Sequence, residues 1–196
     1  MSRSINRVCV FCASSSLADG EYRACADSLG GLLARAGVTV VYGGGAIGLM
    51  GAVADSALAQ QGQVIGIIPQ FMKDLEWAHH GLTELRVVND MHERKRLLIE
   101  NVDAVVALPG GCGTLEELLE VITLKRLAIY LDPIVLVNAC GYFDPLIQLF
   151  DNAITERFMD PRHRSMWTVV DSATDVLPAI QTATPWTKDA RGFSAL

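Results

Sequence analysis

The chain has little charge and few aromatic residues. Only 19% of its 196 residues are charged and 7% aromatic, with a formal net charge of −6. No Lys/Arg run offsets that balance, which argues against a nucleic-acid footprint. No apolar stretch reaches membrane-spanning length, which argues against a membrane partner. The N-terminal run of MSRSINRVCVFCASSS offers only about six apolar residues before the serines, too few for a signal peptide. The four histidines fare no better as a metal site, because His79-His80, His92 and His163 lack ligand spacing. Cysteine is sparse and odd in number, five in all, and sits mostly inside apolar runs. That pattern fits a reducing compartment, and a cytoplasmic location is expected. A chain of this length can bury roughly 70% of its unfolded surface and needs no staple.

What is present is alternation. Val/Ile-rich runs at 7–12, 38–42, 63–68, 84–88, 103–108, 134–137 and, more weakly, 167–170 are separated by helical patterns. The helical stretches fall near 20–36, 47–61, 90–101, 114–130, 143–155 and 172–181. Continuous apolar strands alternating with helices predict a Rossmann-like, doubly wound parallel α/β sheet of about seven strands. The expected organisation is one domain over residues 1–181, with 182–196 as a loose tail. In such sheets ligands bind beyond the carboxyl ends of the strands, where strand order reverses. Three Gly/Ser-rich loops belong at that edge: Ala13–Ser16, Gly43–Gly48 and Gly110–Thr114.

The densest signal is VVALPGGCGTLEE at 105–117. An apolar run ends at Pro109, the small residues Gly110, Gly111 and Gly113 surround Cys112, and Thr114 then opens a helix. A strand that ends in glycines and restarts as a helix presents bare N–H groups at a positive helix end, which suits phosphate. Thr114-x-x-Glu117 has the form of a capping box, a purely structural use. The glycines before it favour a ligand instead. Near a helix start Glu117 should be ionised, able to activate water or stabilise a developing cation.

Asp90–Arg96 forms a second cluster. On a helical wheel Met91, Leu98 and Val102 make the buried stripe, flanked by Arg94 and Lys95, while Glu93, Arg96 and Glu100 point to solvent. A guanidinium beside the core stripe needs an anionic partner, either a carboxylate such as Glu117 or a ligand phosphate. Gly43-Gly44-Gly45-Ala46-Ile47-Gly48 matches the dinucleotide pattern G-x-G-x-x-G. The next strand ends Ile67-Ile68-Pro69-Gln70, however, without the acid that would hold a cofactor ribose. A nicotinamide or flavin enzyme is thereby disfavoured, and no cofactor is expected. Cys9-x-x-Cys12 lies in a strand and reads as two buried thiols. Glu76-Trp77 could form a lid or a base-stacking element, or be an ordinary surface loop with an apolar anchor.

The P-G-G-x-G-T-x-x-E run at 109–117 joins Y-G-G-G-x-x-G-L-M-G-A-V-A-D at 42–55 and M-H-E-R-K at 91–95. Together they resemble the lonely-guy (LOG) family of cytokinin riboside 5'-monophosphate phosphoribohydrolases, over roughly residues 6–158. The resemblance implies hydrolysis of the N-glycosidic bond of purine nucleoside 5'-monophosphates, giving a free base and ribose 5-phosphate. It implies Arg94 and Glu117 as the catalytic pair. Gly110, Gly111, Cys112, Gly113 and Thr114 would cradle substrate, with Lys95, Thr123 and Glu76 as further contacts. Ser14 and Ser15, and Gly44 and Gly45 of the second loop, would complete phosphate binding. It also implies a homodimer or larger homo-oligomer. Two departures stand out: Ala13 replaces a common glycine, and Thr123-Leu124-Lys125-Arg126 replaces Thr-Trp-Ala-Gln. If the latter segment lines the pocket for the base's N6 substituent, preference for prenylated nucleotides is in question. The family is often labelled a lysine decarboxylase, but none of Lys73, Lys95, Lys125 and Lys188 sits in a Schiff-base motif. The alternative function is a non-catalytic nucleotide carrier of the same fold.

Overall fold

The computed structural model describes residues 4–75 and 77–194. Its centre is one sheet of seven parallel strands. The first half of the chain runs β1 (Arg7–Phe11), α1 (Gly20–Arg35), β2 (Thr39–Tyr42), α2 (Gly48–Ala59) and β3 (Val64–Pro69). A short α3 (Gln70–Asp74), β4 (Glu84–Val88) and α4 (Met91–Ile99) follow. The second half is β5 (Ala104–Ala107), α5 (Cys112–Arg126), β6 (Ile134–Val137), α6 (Asp144–Thr155), β7 (Thr168–Val170) and α7 (Val176–Thr182). The sheet order is β4-β3-β2-β1-β5-β6-β7: strands are added outward from β1 to β4, and the chain then returns to lay β5 on the other side of β1. The β1/β5 junction is thus the place where strand order reverses, with Phe11 beside Ala107. The expected doubly wound α/β architecture is what the chain adopts.

Period-two alternation divides the buried residues between the two faces. Val8, Val10, Val40, Tyr42 and Val106 pack with α1, α2 and α7 on one side. Cys9, Phe11, Val41, Val105 and Ala107 pack with α4 and α5 on the other. Because both faces are covered, the central strands carry apolar residues at nearly every position.

Several element boundaries differ from expectation. α5 begins at Cys112, two residues before Thr114, because small glycine-flanked residues can already take helical dihedrals there. Thr114 is therefore inside the helix, and the anticipated capping box with Glu117 is absent: Gly111 is the N-cap and no side chain caps it. The segment after Thr182, expected to be loose, is anchored. Trp186 is buried, donates its indole N–H to the Lys125 carbonyl (2.7 Å), and stacks edge-on near Phe193.

The first and second loops interlock at the mouth of the sheet. Met50 N–H donates to Ala13 C=O (3.1 Å). Gly48 has φ +68°, and a Cβ there would lie 2.5 Å from the Ser15 carbonyl oxygen. Backbone strain and overlap with main chain act together at this position. Gly48→Ala should lower the unfolding free energy by about 2–3 kcal/mol, measured by urea denaturation; an unchanged midpoint would refute the close packing.

Candidate active site

The three Gly/Ser-rich loops converge over β1, β2 and β5 and enclose a cleft of about 480 Å³. Its floor is the start of α5. Gly111 is extended, and the N–H groups of the first turn have no side-chain cap. The first turn of a helix leaves such donors unpaired and positively polarised, an arrangement able to hold an anion. Gly111, Cys112, Gly113 and Thr114 line the cleft. Gly110 lies behind them and must be glycine, since its Cβ would fall 2.1 Å from the Thr114 hydroxyl oxygen. Ser14 also lines the cleft. Ser15 does not; its hydroxyl accepts from Leu17 N–H (3.2 Å).

The opposing charge chemistry comes from α4 and α5. Asp90 caps α4 by accepting from Glu93 N–H (2.8 Å), and Glu93 accepts from Asn89 N–H (2.9 Å), so both acids serve the helix start. Arg94, one turn further, points inward and is only 6% exposed. Its Nε donates to the Ile67 carbonyl (3.2 Å) and one terminal nitrogen lies 3.1 Å from Glu117 Oε1. Glu117 is equally buried, at 6%. Gly43 makes room for this pair: a Cβ there would sit 2.3 Å from a guanidinium nitrogen.

Glu117 belongs to the second turn of α5, not the first, so its environment differs from expectation. Burial is the largest influence and raises its pKa; the Arg94 guanidinium is next and pulls it down. The result is a carboxyl group that titrates above its ordinary value, suited to accepting a proton. Cys12, also on the cleft wall, is held as a neutral thiol by burial.

The remaining wall is apolar: Ile47, Met50, Ile68, Met72, Trp77 and Met91. Trp77 is half exposed while it lines the cleft. Its segment is tied to the second loop by Ala46 N–H to Trp77 C=O (3.1 Å) and His79 N–H to Gly44 C=O (2.9 Å). His79 Nε2 lies 2.9 Å from Asp55 Oδ1 and adds a side-chain clasp. Gly45 lines the cleft, whereas Gly44 supports it from behind. Glu76 lies outside the described residues.

Two further residues expected at the substrate, Lys95 and Thr123, also lie away from the cleft. Lys95 Nζ pairs with Glu116 and with Glu120 (2.8 Å) on the outer side of α5, because successive residues on α4 diverge by about 100° from Arg94. Thr123 donates to the Leu119 carbonyl (2.8 Å) near the far end of α5. Leu124 is partly buried against the core and Lys125 donates to the Asp132 carbonyl (2.6 Å), and neither lines the cleft. The methionine wall was missed by sequence reasoning. Met50 and Met91 stand inside the recognised motifs and offered a signal; Met72 offered none.

These features place the chain among Rossmann-like α/β proteins, with an uncapped helix start beside a buried acid in the cleft at the strand reversal. Residues 50–180 match the family model described as "possible lysine decarboxylase". A cytokinin riboside 5'-monophosphate phosphoribohydrolase from Rhodococcoides fascians is 43% identical over 89% of this chain and 88% of its own length. A probable enzyme of the same name from Oryza sativa subsp. japonica is 41% identical over 94% and 75%. One from Arabidopsis thaliana is 40% identical over 91% and 83%. The chain therefore belongs to the LOG family. Among solved structures, the molybdenum cofactor carrier protein of Chlamydomonas reinhardtii shares the fold, with a TM-score of 0.72, 18% identity, and coverage of 92% of this chain and 98% of that one. None of the four lysines lines the cleft, so it lacks the amine that the decarboxylase description would require.

The Glu117 carboxyl, followed by carbon NMR, should titrate above the ordinary 4.5. Arg94→Gln should move the midpoint further up, because it removes the strongest influence favouring the charged form. A midpoint that stays put or falls would show that the guanidinium does not hold the carboxylate.

Proposed function

We propose that this protein hydrolyses the N-glycosidic bond of adenosine 5'-monophosphates. AMP and N6-substituted forms such as cytokinin riboside monophosphates would give free base and ribose 5-phosphate. The observation that supports this most directly is the buried Glu117 carboxyl, paired with Arg94, beside an uncapped helix start in one cleft. Simple phosphate binding gains nothing from a carboxylate at that place. The activity named for relatives at 40–43% identity agrees with it.

The phosphate would rest on the N–H groups at Gly111–Thr114, with Ser14 beside it. The planar base would lie against Trp77 and the methionine wall. As the anomeric C–N bond breaks, its electron pair leaves with the base and the sugar gains oxocarbenium character. Glu117 would stabilise that positive charge and take a proton from the attacking water, whose oxygen bonds to the anomeric carbon, while the departing base nitrogen takes a proton from solvent. Arg94, already bonded to the Ile67 carbonyl and Glu117, would orient the carboxylate. Lys95 would act from behind, its charge on Glu116 and Glu120 moderating two carboxylates near Glu117.

Two further parts of the reading concern context. A homodimer or larger homo-oligomer is supported by Leu119, Leu127 and Ile129, exposed on α5 and just beyond it. A cytoplasmic location is supported by five free thiols.

Purified protein incubated with AMP, and separately with isopentenyladenosine monophosphate, should release base from at least one. Glu117→Gln, which keeps shape but removes charge, should cut turnover at least ~100-fold while the protein stays folded. Near-normal turnover would sink the role of Glu117. Tight AMP binding with no base released by the wild type would make the protein a nucleotide carrier.

A further inference from the structure

The segment between β6 and α6 is built with unusual care for a surface turn. Gly141 N–H donates to the Asn138 carbonyl (3.0 Å), and Asn138 Oδ1 accepts from Phe143 N–H (2.7 Å). Asn138 Nδ2 donates to Asp144 Oδ1 (2.7 Å). Cys140 and Gly141 are both left-handed, with φ of 53° and 71°. A non-glycine residue there adopts a conformation that L side chains rarely take, and such strain gathers where position matters. The Cys140 thiol donates to Glu21 (2.9 Å), tying the turn to α1.

The turn delivers Tyr142. Its ring is held edge-on by Tyr22 (5.9 Å, 78°) and Phe143 (5.1 Å, 84°). Its hydroxyl donates to the Gly110 carbonyl oxygen at 2.6 Å. Tyr142 and Gly110 do not line the cleft, whereas Gly111, Cys112 and Gly113 do.

We propose that Tyr142 is a positioning residue that locks the polarity of the Gly110–Gly111 peptide, so that the cradle presents an N–H, never a carbonyl, to its anion. In a trans peptide the C=O and N–H point to opposite edges. With the oxygen committed to Tyr142 behind the loop, the Gly111 N–H faces forward with those of the first turn of α5. The lock is needed because the peptide is flanked by two glycines and nothing lies within 4 Å of a Cβ built at Gly111. Unpinned, it can rotate and aim its carbonyl dipole at the phosphate. This rests on the proposed function only for the identity of the anion.

Tyr142→Phe keeps both ring contacts and removes only the hydroxyl. Binding is measured by calorimetry with ribose 5-phosphate, which has no bond to cleave, and with adenosine, which has no phosphate. The variant should bind ribose 5-phosphate about tenfold more weakly and adenosine as the wild type does. If AMP is hydrolysed, its KM should rise by a similar factor with kcat changed less than about threefold. Asn138→Ser, which loosens the turn without touching Tyr142, should give the same phosphate-selective loss. Equal weakening of both ligands, or of neither, overturns the proposal. Failure of the hydrolase reading is separately visible, as wild-type protein that binds ribose 5-phosphate but releases no base from AMP.

Discussion

The buried pairing of Arg94 with Glu117 is the constraint around which the cleft is arranged. Removing two charges from water costs several kcal/mol per ion, and their attraction recovers this only with good geometry and further hydrogen bonds. The structure supplies both. The guanidinium spends one nitrogen on the carboxylate and another on the Ile67 carbonyl. A pair of apolar residues would fill the same space at no electrostatic cost, so stability alone does not account for it. The surroundings are also shaped for it, since any side chain at position 43 would displace the guanidinium.

Topology explains why these two residues can meet although 23 positions separate them in sequence (117 − 94). α4 follows β4 at one sheet edge, and the chain then crosses to place β5 beside β1 at the centre. That crossing brings α4 and α5 together on one face and leaves the start of α5 open at the strand reversal. The same crossing positions the loops after β1 and β2 opposite that helix start. The site is thus a consequence of strand order, and its charged members need no loop of their own.

Much of this could be read directly from residues. The strands were visible because sheets covered on both faces need uninterrupted apolar runs, as in Val105–Leu108 and Ile134–Val137. Arg94 was visible because a guanidinium beside Leu98 demands a partner, and Glu117 is one. What escaped depended on contacts distant in sequence. Lys95 neighbours Arg94 in sequence, yet the helical rotation sends it to the outer acids Glu116 and Glu120. The start of α5 was misplaced because Thr114-x-x-Glu117 mimics a cap, while the true cap is a glycine with no side chain to announce itself. Tyr142 and Met72 reach the site region only through tertiary packing, which no local spacing encodes.

A phosphate and a carboxylate sharing one cleft would repel strongly; at 4 Å and an effective dielectric of 20, two unit charges interact by about 4 kcal/mol. The division of labour here reduces that conflict. The uncapped start of α5 offers backbone dipoles, which would attract a phosphate without adding a full positive charge to compete for Glu117. Arg94 meanwhile neutralises Glu117 locally, and burial lets that carboxyl accept a proton more readily than an exposed one. A lysine in the cradle would bind phosphate more tightly but would also draw the carboxylate away from its guanidinium and lower its basicity. With neutral donors for the anion and the Arg94 guanidinium paired with the acid, the proposed reaction would have in one cleft both a seat for the phosphate and a base beside the sugar.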